Sequence, residues 1–120
     1  AYSDAELAQL PLVTAHMDVL GTTVFSGANP PALTDIVPSA APRPVGWSAA
    51  LVIVDGLIAG AVDDDISARF ASVPGIQQLL LRAVAYRRYV NTLHPRSKAT
   101  VRSNIERVEE ALVSAASDTL

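Results

Sequence analysis

Val73-Pro74-Gly75-Ile76-Gln77-Gln78-Leu79-Leu80-Leu81-Arg82-Ala83-Val84-Ala85-Tyr86-Arg87-Arg88-Tyr89-Val90-Asn91-Thr92-Leu93-His94-Pro95 is the stretch that decides the fold. Ile76, Leu79, Leu80, Ala83, Val84, Val90 and Leu93 recur at helical intervals, which predicts one wide apolar face along a helix of about twenty residues. Pro74 is expected at the first helical position, where its missing N–H costs nothing, and His94-Pro95 ends the run. Arg82, Arg87 and Arg88 fall mostly outside the apolar face, with Tyr86 and Tyr89 beside them.

Working outward, the same periodicity appears on both sides. A last helix is expected from Lys98, with Val101, Ile105, Val108, Leu112 and Ala115 on one face and Arg102–Glu106 as an i,i+4 ion pair. Before the central helix, Leu51, Val52, Asp55, Ile58, Ala59 and Val62 recur from Trp47 onward, with Ser48 as the cap. Gly56 and Gly60, four apart, offer a flat strip for a close helix approach. Asp63-Asp64-Asp65 then reads as a solvated turn. As a calcium loop it fails, because Ala68 stands where glycine is needed and Pro74 where the bidentate acid belongs.

Residues 47–120 therefore form a three-helix core, and residues 1–20 an N-terminal helical segment. That segment starts at Asp4, with Ser3 and Glu6 as a capping box, breaks at Pro11, and resumes from Leu12 to Leu20 until Gly21 ends it. Residues 21–46 hold five of the eight prolines with only Asp35 and Arg43 charged, and read as a long proline-rich loop or arm. Its apolar residues Val24, Phe25, Leu33, Ile36 and Val37 are too many for a solvated linker, so the arm packs on its own core or on a neighbouring subunit. The expectation is one all-α domain spanning 1–120, a small helical bundle carrying that arm.

Composition agrees with close-packed helices: half the residues are apolar and only six are aromatic. There is no cysteine, hence no disulfide framework and no thiolate chemistry. Ala1-Tyr2-Ser3-Asp4 lacks the basic start and apolar run of a signal peptide, so export is not expected. The apolar window Val45–Val62 carries Asp55 near its centre, which argues against a bilayer span. Charge is divided along the chain. Residues 1–65 carry eight acids against Arg43 alone, and residues 66–120 carry eight bases against four acids, for a net charge of −3. Such a dipolar molecule either folds its two faces onto each other or attracts a second copy head to tail.

Little in the chain supports catalysis. His16 and His94 are the only histidines, and there is neither a glycine-rich phosphate loop nor a pair of histidines at metal-ligand spacing. Glu106 and Glu110 share a helical face, yet the Glu-x-x-His pattern of a di-metal bundle is missing. No catalytic residue, cofactor or metal ligand is expected. An enzyme using His16 or His94 as base would lose all activity on its substitution.

The run Val54-Asp55-Gly56-Leu57-Ile58, then Ala68-Arg69-Phe70, Val73-Pro74-Gly75-Ile76, Leu79 through Tyr89, and Val101 through Leu112 resembles the head-tail adaptor (head completion, or connector) proteins of tailed bacteriophages, particularly Mu-like ones. The likeness covers about half the chain and departs from the family in the length of 21–46 and the acids at 63–65. It implies a structural virion protein made in the bacterial cytoplasm. That protein assembles as a homo-oligomeric ring of roughly a dozen copies between portal and tail or stopper proteins. DNA then passes through the lumen as cargo during ejection, and no membrane is involved. Under that resemblance the interface residues are Arg82, Arg87 and Arg88 on one flank, Asp63, Asp64 and Asp65 on the other, and Phe25, Ile36 and Val37 on the arm. The other reading is a helical dimeric binding or regulatory module, joined through Gly56 and Gly60, with an apolar pocket near Trp47.

Overall fold

In a computed structural model, which describes residues 4–118, the three long helices lie at Trp47–Ala59 (α2), Ile76–Leu93 (α3) and Ala99–Asp118 (α4). α3 packs against both α2 and α4, and α2 also meets α4. The core consists of aliphatic side chains, with Leu51, Val54, Leu79, Leu81, Val84 and Val108 fully enclosed. The apolar face of α3 is used only in part. Leu81, off the expected face, is buried, whereas Val90 and Leu93 stand exposed in the last turns. On α4 the buried set is Ile105, Val108, Leu112 and Ala116, while Val101 and Ala115 face solvent. Arg102 and Glu106 make no ion pair among the described residues.

The all-α expectation is overturned by the N-terminal third, where two two-stranded antiparallel sheets make the fold mixed α/β. Leu12–Val13 (β1) pairs with Arg43–Pro44 (β4), and Thr23–Val24 (β2) with Ala32–Leu33 (β3). Between the two sheets His16 bridges Pro38, the Met17 amide donates to the Val37 carbonyl at 2.7 Å, and the Ser39 amide to that of Ala15 at 2.8 Å. Residues 11–24 and 32–45 are thus one long antiparallel ribbon. It is interrupted only by the single helical turn Val19–Thr22 (α1), whose N-cap Asp18 accepts from the Gly21 amide.

The expected helix over Leu12–Leu20 is therefore replaced by extended chain, with strand at Leu12–Val13 and a bridge at His16, that turns helical only at Val19, and Gly21 lies inside that helical turn rather than beyond one. Physically, the prolines hold the returning chain extended, together with the residues before them, and an extended segment satisfies its amides only by pairing. Leu12 to Met17 alternates as well as it follows a helical period, with Ala15 buried between exposed Thr14 and half-buried His16. The N-terminal helix is reduced to a 3-10 turn at Leu7–Gln9; the Ser3 cap lies outside the described residues.

The helix ends also differ from expectation. α2 opens at Gly46 (φ 97°) and not on a Ser48 cap; the Ser48 hydroxyl instead accepts from the His16 amide at 2.9 Å and pins the ribbon. It closes at Gly60 (φ 68°), whose amide bonds to Leu57 while that of Ala61 reaches back to Gly56, the paired bonds of a Schellman motif. Val62 folds over Gly56, where a Cβ would meet its Cγ1 at 3.0 Å. Gly56 is thus covered by the chain itself, while at Gly60 a Cβ would meet nothing within 4 Å. Asp63–Asp65 form a turn leading into a 3-10 segment at Ile66–Phe70.

Pro74 lies in the turn before α3, and Gly75 is the N-cap at φ 72°. A side chain at Gly75 would be strained there, and its Cβ would come within 2.9 Å of Leu7 Cδ2. Gly75→Ala is expected to cost about 2 kcal/mol from the left-handed backbone and the displaced Leu7. Urea unfolding measures this as a lower midpoint at unchanged slope.

Candidate functional site

The acidic and basic halves of the chain meet inside the molecule. The Asp55 carboxylate on α2 accepts from Arg87 Nε and Nη2 on α3, both at 2.7 Å, in a bidentate pair with each side chain about one-fifth exposed. Arg87 Nη2 also donates to the Met17 carbonyl at 3.1 Å, tying the ribbon to the helices. Arg82 pairs with Asp4 at 2.5 Å, and Arg69 with Asp63 at 3.6 Å. Arg88 is engaged within the basic half, by Glu109 of α4 at 2.8 Å.

Of the expected interface residues, Arg87 is thus held within the fold, and Arg82 and Arg88 reach the surface already paired. Asp64 and Asp65 are exposed, with no ion pair among the described residues. The structure does not bring the acidic triplet and the three arginines together in one copy: Asp63 alone has a basic partner, and it is Arg69.

The arm residues separate from one another. Phe25 is 72% and Ile36 74% exposed, and Val24 and Leu33 at the same end of the ribbon are each about half exposed. Val37 is half-buried, and its carbonyl holds Met17. Val24, Phe25 and Leu33 lie toward the ribbon's tip, with Val24 and Leu33 in neighbouring cross-strand pairs, and Ile36 lies farther down, beside the Met17–Val37 contact; folding leaves all four side chains uncovered. Single exposed apolar residues are ordinary, but several along one arm make it a candidate contact surface. The charged group among these residues is Asp35, which accepts from the Ile36 amide at 2.8 Å and has no ion pair among the described residues.

At the opposite, base end of the ribbon is an open groove of about 740 Å³. Arg43 and Pro44 of β4, Trp47 at the start of α2, and Leu79, Arg82, Ala85, Tyr86 and Tyr89 of α3 line it, with Leu7 at one side. Trp47 organises this end. Its ring lies edge-on to Tyr86 at 6.1 Å, Arg43 stacks over it at 5.5 Å, and its Nε1 donates to Met17 Sδ at 3.2 Å. Arg43 Nε is buried with no hydrogen-bond acceptor among the described residues, so an incoming group can meet only the outer nitrogens of the guanidinium. The groove combines apolar walls with a guanidinium that has no ion pair among the described residues, a pairing suited to an apolar group that carries a carboxylate. Sequence reasoning placed a pocket near Trp47 but did not name Arg43; its signal was being the lone base in the acidic half.

The histidines have structural partners. The Asp18 amide donates to His16 Nδ1 at 3.1 Å, which leaves Nε2 to carry the proton given to the Asp35 carbonyl at 3.0 Å. His94 Nδ1 accepts from the Arg96 amide in the α3–α4 turn. Among the described residues no three His, Asp or Glu side chains converge as a metal site, and no helix is long and apolar enough to cross a membrane. No family model, curated protein or solved structure matches the chain.

Proposed function

We propose that this chain is a structural subunit that assembles with copies of itself. In the specific form its sequence resemblance suggests, it is a head-tail adaptor of a tailed bacteriophage, set as a ring between portal and tail with DNA passing through its lumen. The observation that carries this is the ribbon arm, where Val24, Phe25, Leu33 and Ile36 stand in solvent, with Phe25 and Ile36 the most exposed of the large apolar side chains. Leaving that much apolar surface wet is unfavourable by about 25 cal/mol per Å², a cost that association removes. Head-to-tail repetition of one contact generates a ring wherever the rotation closes.

Quantitative mass spectrometry of particles purified from the source culture tests the reading. About a dozen copies per particle are expected, in keeping with a closed ring; absence of the chain from particles overturns it. The groove at Trp47 favours a second reading, a binding or regulatory module for a small apolar carboxylate. Stoichiometric capture of such a compound by a closed dimer would support that module over the ring.

A further inference from the structure

The exposed ribbon end and the groove are complementary in chemistry and lie at opposite ends of the ribbon. The ribbon presents exposed Phe25 and Leu33 toward its tip and exposed Ile36 next to Asp35, a carboxylate with no ion pair among the described residues. The groove presents Trp47, Ala85 and Tyr89 together with Arg43, a cation with no ion pair among the described residues. No residue of the ribbon end lines the groove of its own copy. Tyr89 and Leu93, one helical turn apart and each 64% exposed, extend the apolar wall beyond the groove mouth. At about 740 Å³ the groove lies within the range that takes a drug-sized ligand, room for two or three large side chains.

We infer that the groove is the receptor for the ribbon end of a second copy, with Phe25 and Ile36 seated against Trp47 and Tyr89 and the Asp35 carboxylate on Arg43. This rests on the self-assembly reading and names its contact. Such an interface is heterologous: each copy offers one ribbon and one groove, so association continues until a ring closes or the filament runs on. Charge selects the register, because Asp35 is the only charged residue between positions 19 and 42. The Asp4 carboxylate on Arg82 at the groove edge is an intramolecular instance of the same recognition.

The test is a complementation experiment by sedimentation. The ribbon variant Phe25→Ser/Ile36→Ser alters exposed side chains and is expected to fold. The groove variant Ala85→Glu fills the receptor with a like charge, and Tyr89→Ser, at an exposed position, serves if the first is unstable. Each alone is expected to associate at least tenfold more weakly than the unmodified chain. Mixed in equal amounts they are expected to form a one-to-one complex that grows no further, since each pair retains one intact contact.

A groove variant that associates like the unmodified chain points to ribbon-to-ribbon pairing and overturns the proposal, as does a mixture that stays monomeric. In a second arm, a peptide of residues 22–37 is titrated into the full chain with Trp47, the sole tryptophan, as fluorescent reporter. Saturable binding that weakens at least tenfold on Asp35→Lys in the peptide supports the contact. Binding of hexanoate or benzoate with none of the peptide overturns it. Particles carrying the chain beside a monomeric mixture sink this contact and leave the adaptor reading standing. A one-to-one complex from a chain absent from particles does the reverse.

Discussion

Asp55→Ala is expected to lower the unfolding free energy by about 3 kcal/mol, with a fall in Tm of about 12 °C for a domain of this size. Asp55 and Arg87 form the best-shielded ion pair among the described residues, and both of their hydrogen bonds are 2.7 Å. Removing the carboxylate leaves a guanidinium that is largely buried, with only the Met17 carbonyl and the face of Tyr86 beside it. Stranding a charge in this way costs more than the pair contributes relative to an apolar replacement, so Asp55→Leu/Arg87→Met is expected to recover to within about 1 kcal/mol of the parent. By contrast Arg88→Ala, at a pair whose arginine is 55% exposed, should shift stability by less than about 1 kcal/mol. Circular dichroism through thermal and urea unfolding measures all three variants. If Asp55→Ala leaves the midpoint unchanged, the pair is not structural and Arg87 is available to a partner. The expected result also bears on how assembly variants are designed, because reversing charge at Arg87 together with Arg88 would unfold the subunit before it tested any interface.

The charge division along the sequence is legible without coordinates, but its use is not. Asp4, Asp55 and Asp63 of the acidic half meet Arg82, Arg87 and Arg69 of the basic half within one chain. Spacing along the sequence cannot distinguish that from pairing between copies, because both satisfy the same charges. The three long helices are readable because aliphatic periodicity over a dozen or more residues has no strand equivalent. The ribbon is not, because Leu12 to Leu20 is short enough to fit either period, and the deciding partner strand Arg43–Pro44 lies more than twenty residues away behind four prolines. What marks this strand pairing is negative. A long segment that cannot be helical and carries too many apolar residues to be solvated must find backbone partners somewhere. The same argument identifies Phe25 and Ile36 as residues without a place in the core, but only the coordinates show that the ribbon leaves their side chains in solvent while holding Val37 half-buried against the helices. Gly56 and Gly60 part company in a related way. Small residues four apart allow a close approach, and at Gly56 the approaching group is Val62 of the same chain, while Gly60 is left open.

Trp47→Ala is expected to destabilise the chain by about 4 kcal/mol, in the range of other large-to-small aromatic truncations. Trp47 is 4% exposed and stands where the ribbon, α2 and α3 converge, so its loss opens a cavity that no neighbouring element can collapse into without moving another. Tyr86 loses its edge-on partner, Arg43 loses the ring beneath it, and Met17 loses the indole N–H. Three contacts, one with α3 and two with the ribbon, fail together, which predicts a non-uniform response. Amide exchange is expected to accelerate first in the ribbon, at Met17 and Ser39, while the α3–α4 pairing around Val84 and Val108 keeps its protection up to the global limit. Trp47→Phe retains most of the buried ring and gives up only the Nε1–Sδ contact and part of the stacking, for a cost of about 1 kcal/mol. Exchange that accelerates equally in all elements would mean that the ribbon and the helices unfold as one unit, and Trp47 would then be an ordinary core residue. If the ribbon loosens selectively, the same residue that floors the groove also holds the arm in place. Occupying the groove with the arm of the next copy would then stabilise the arm of the first, passing order from subunit to subunit around an assembly.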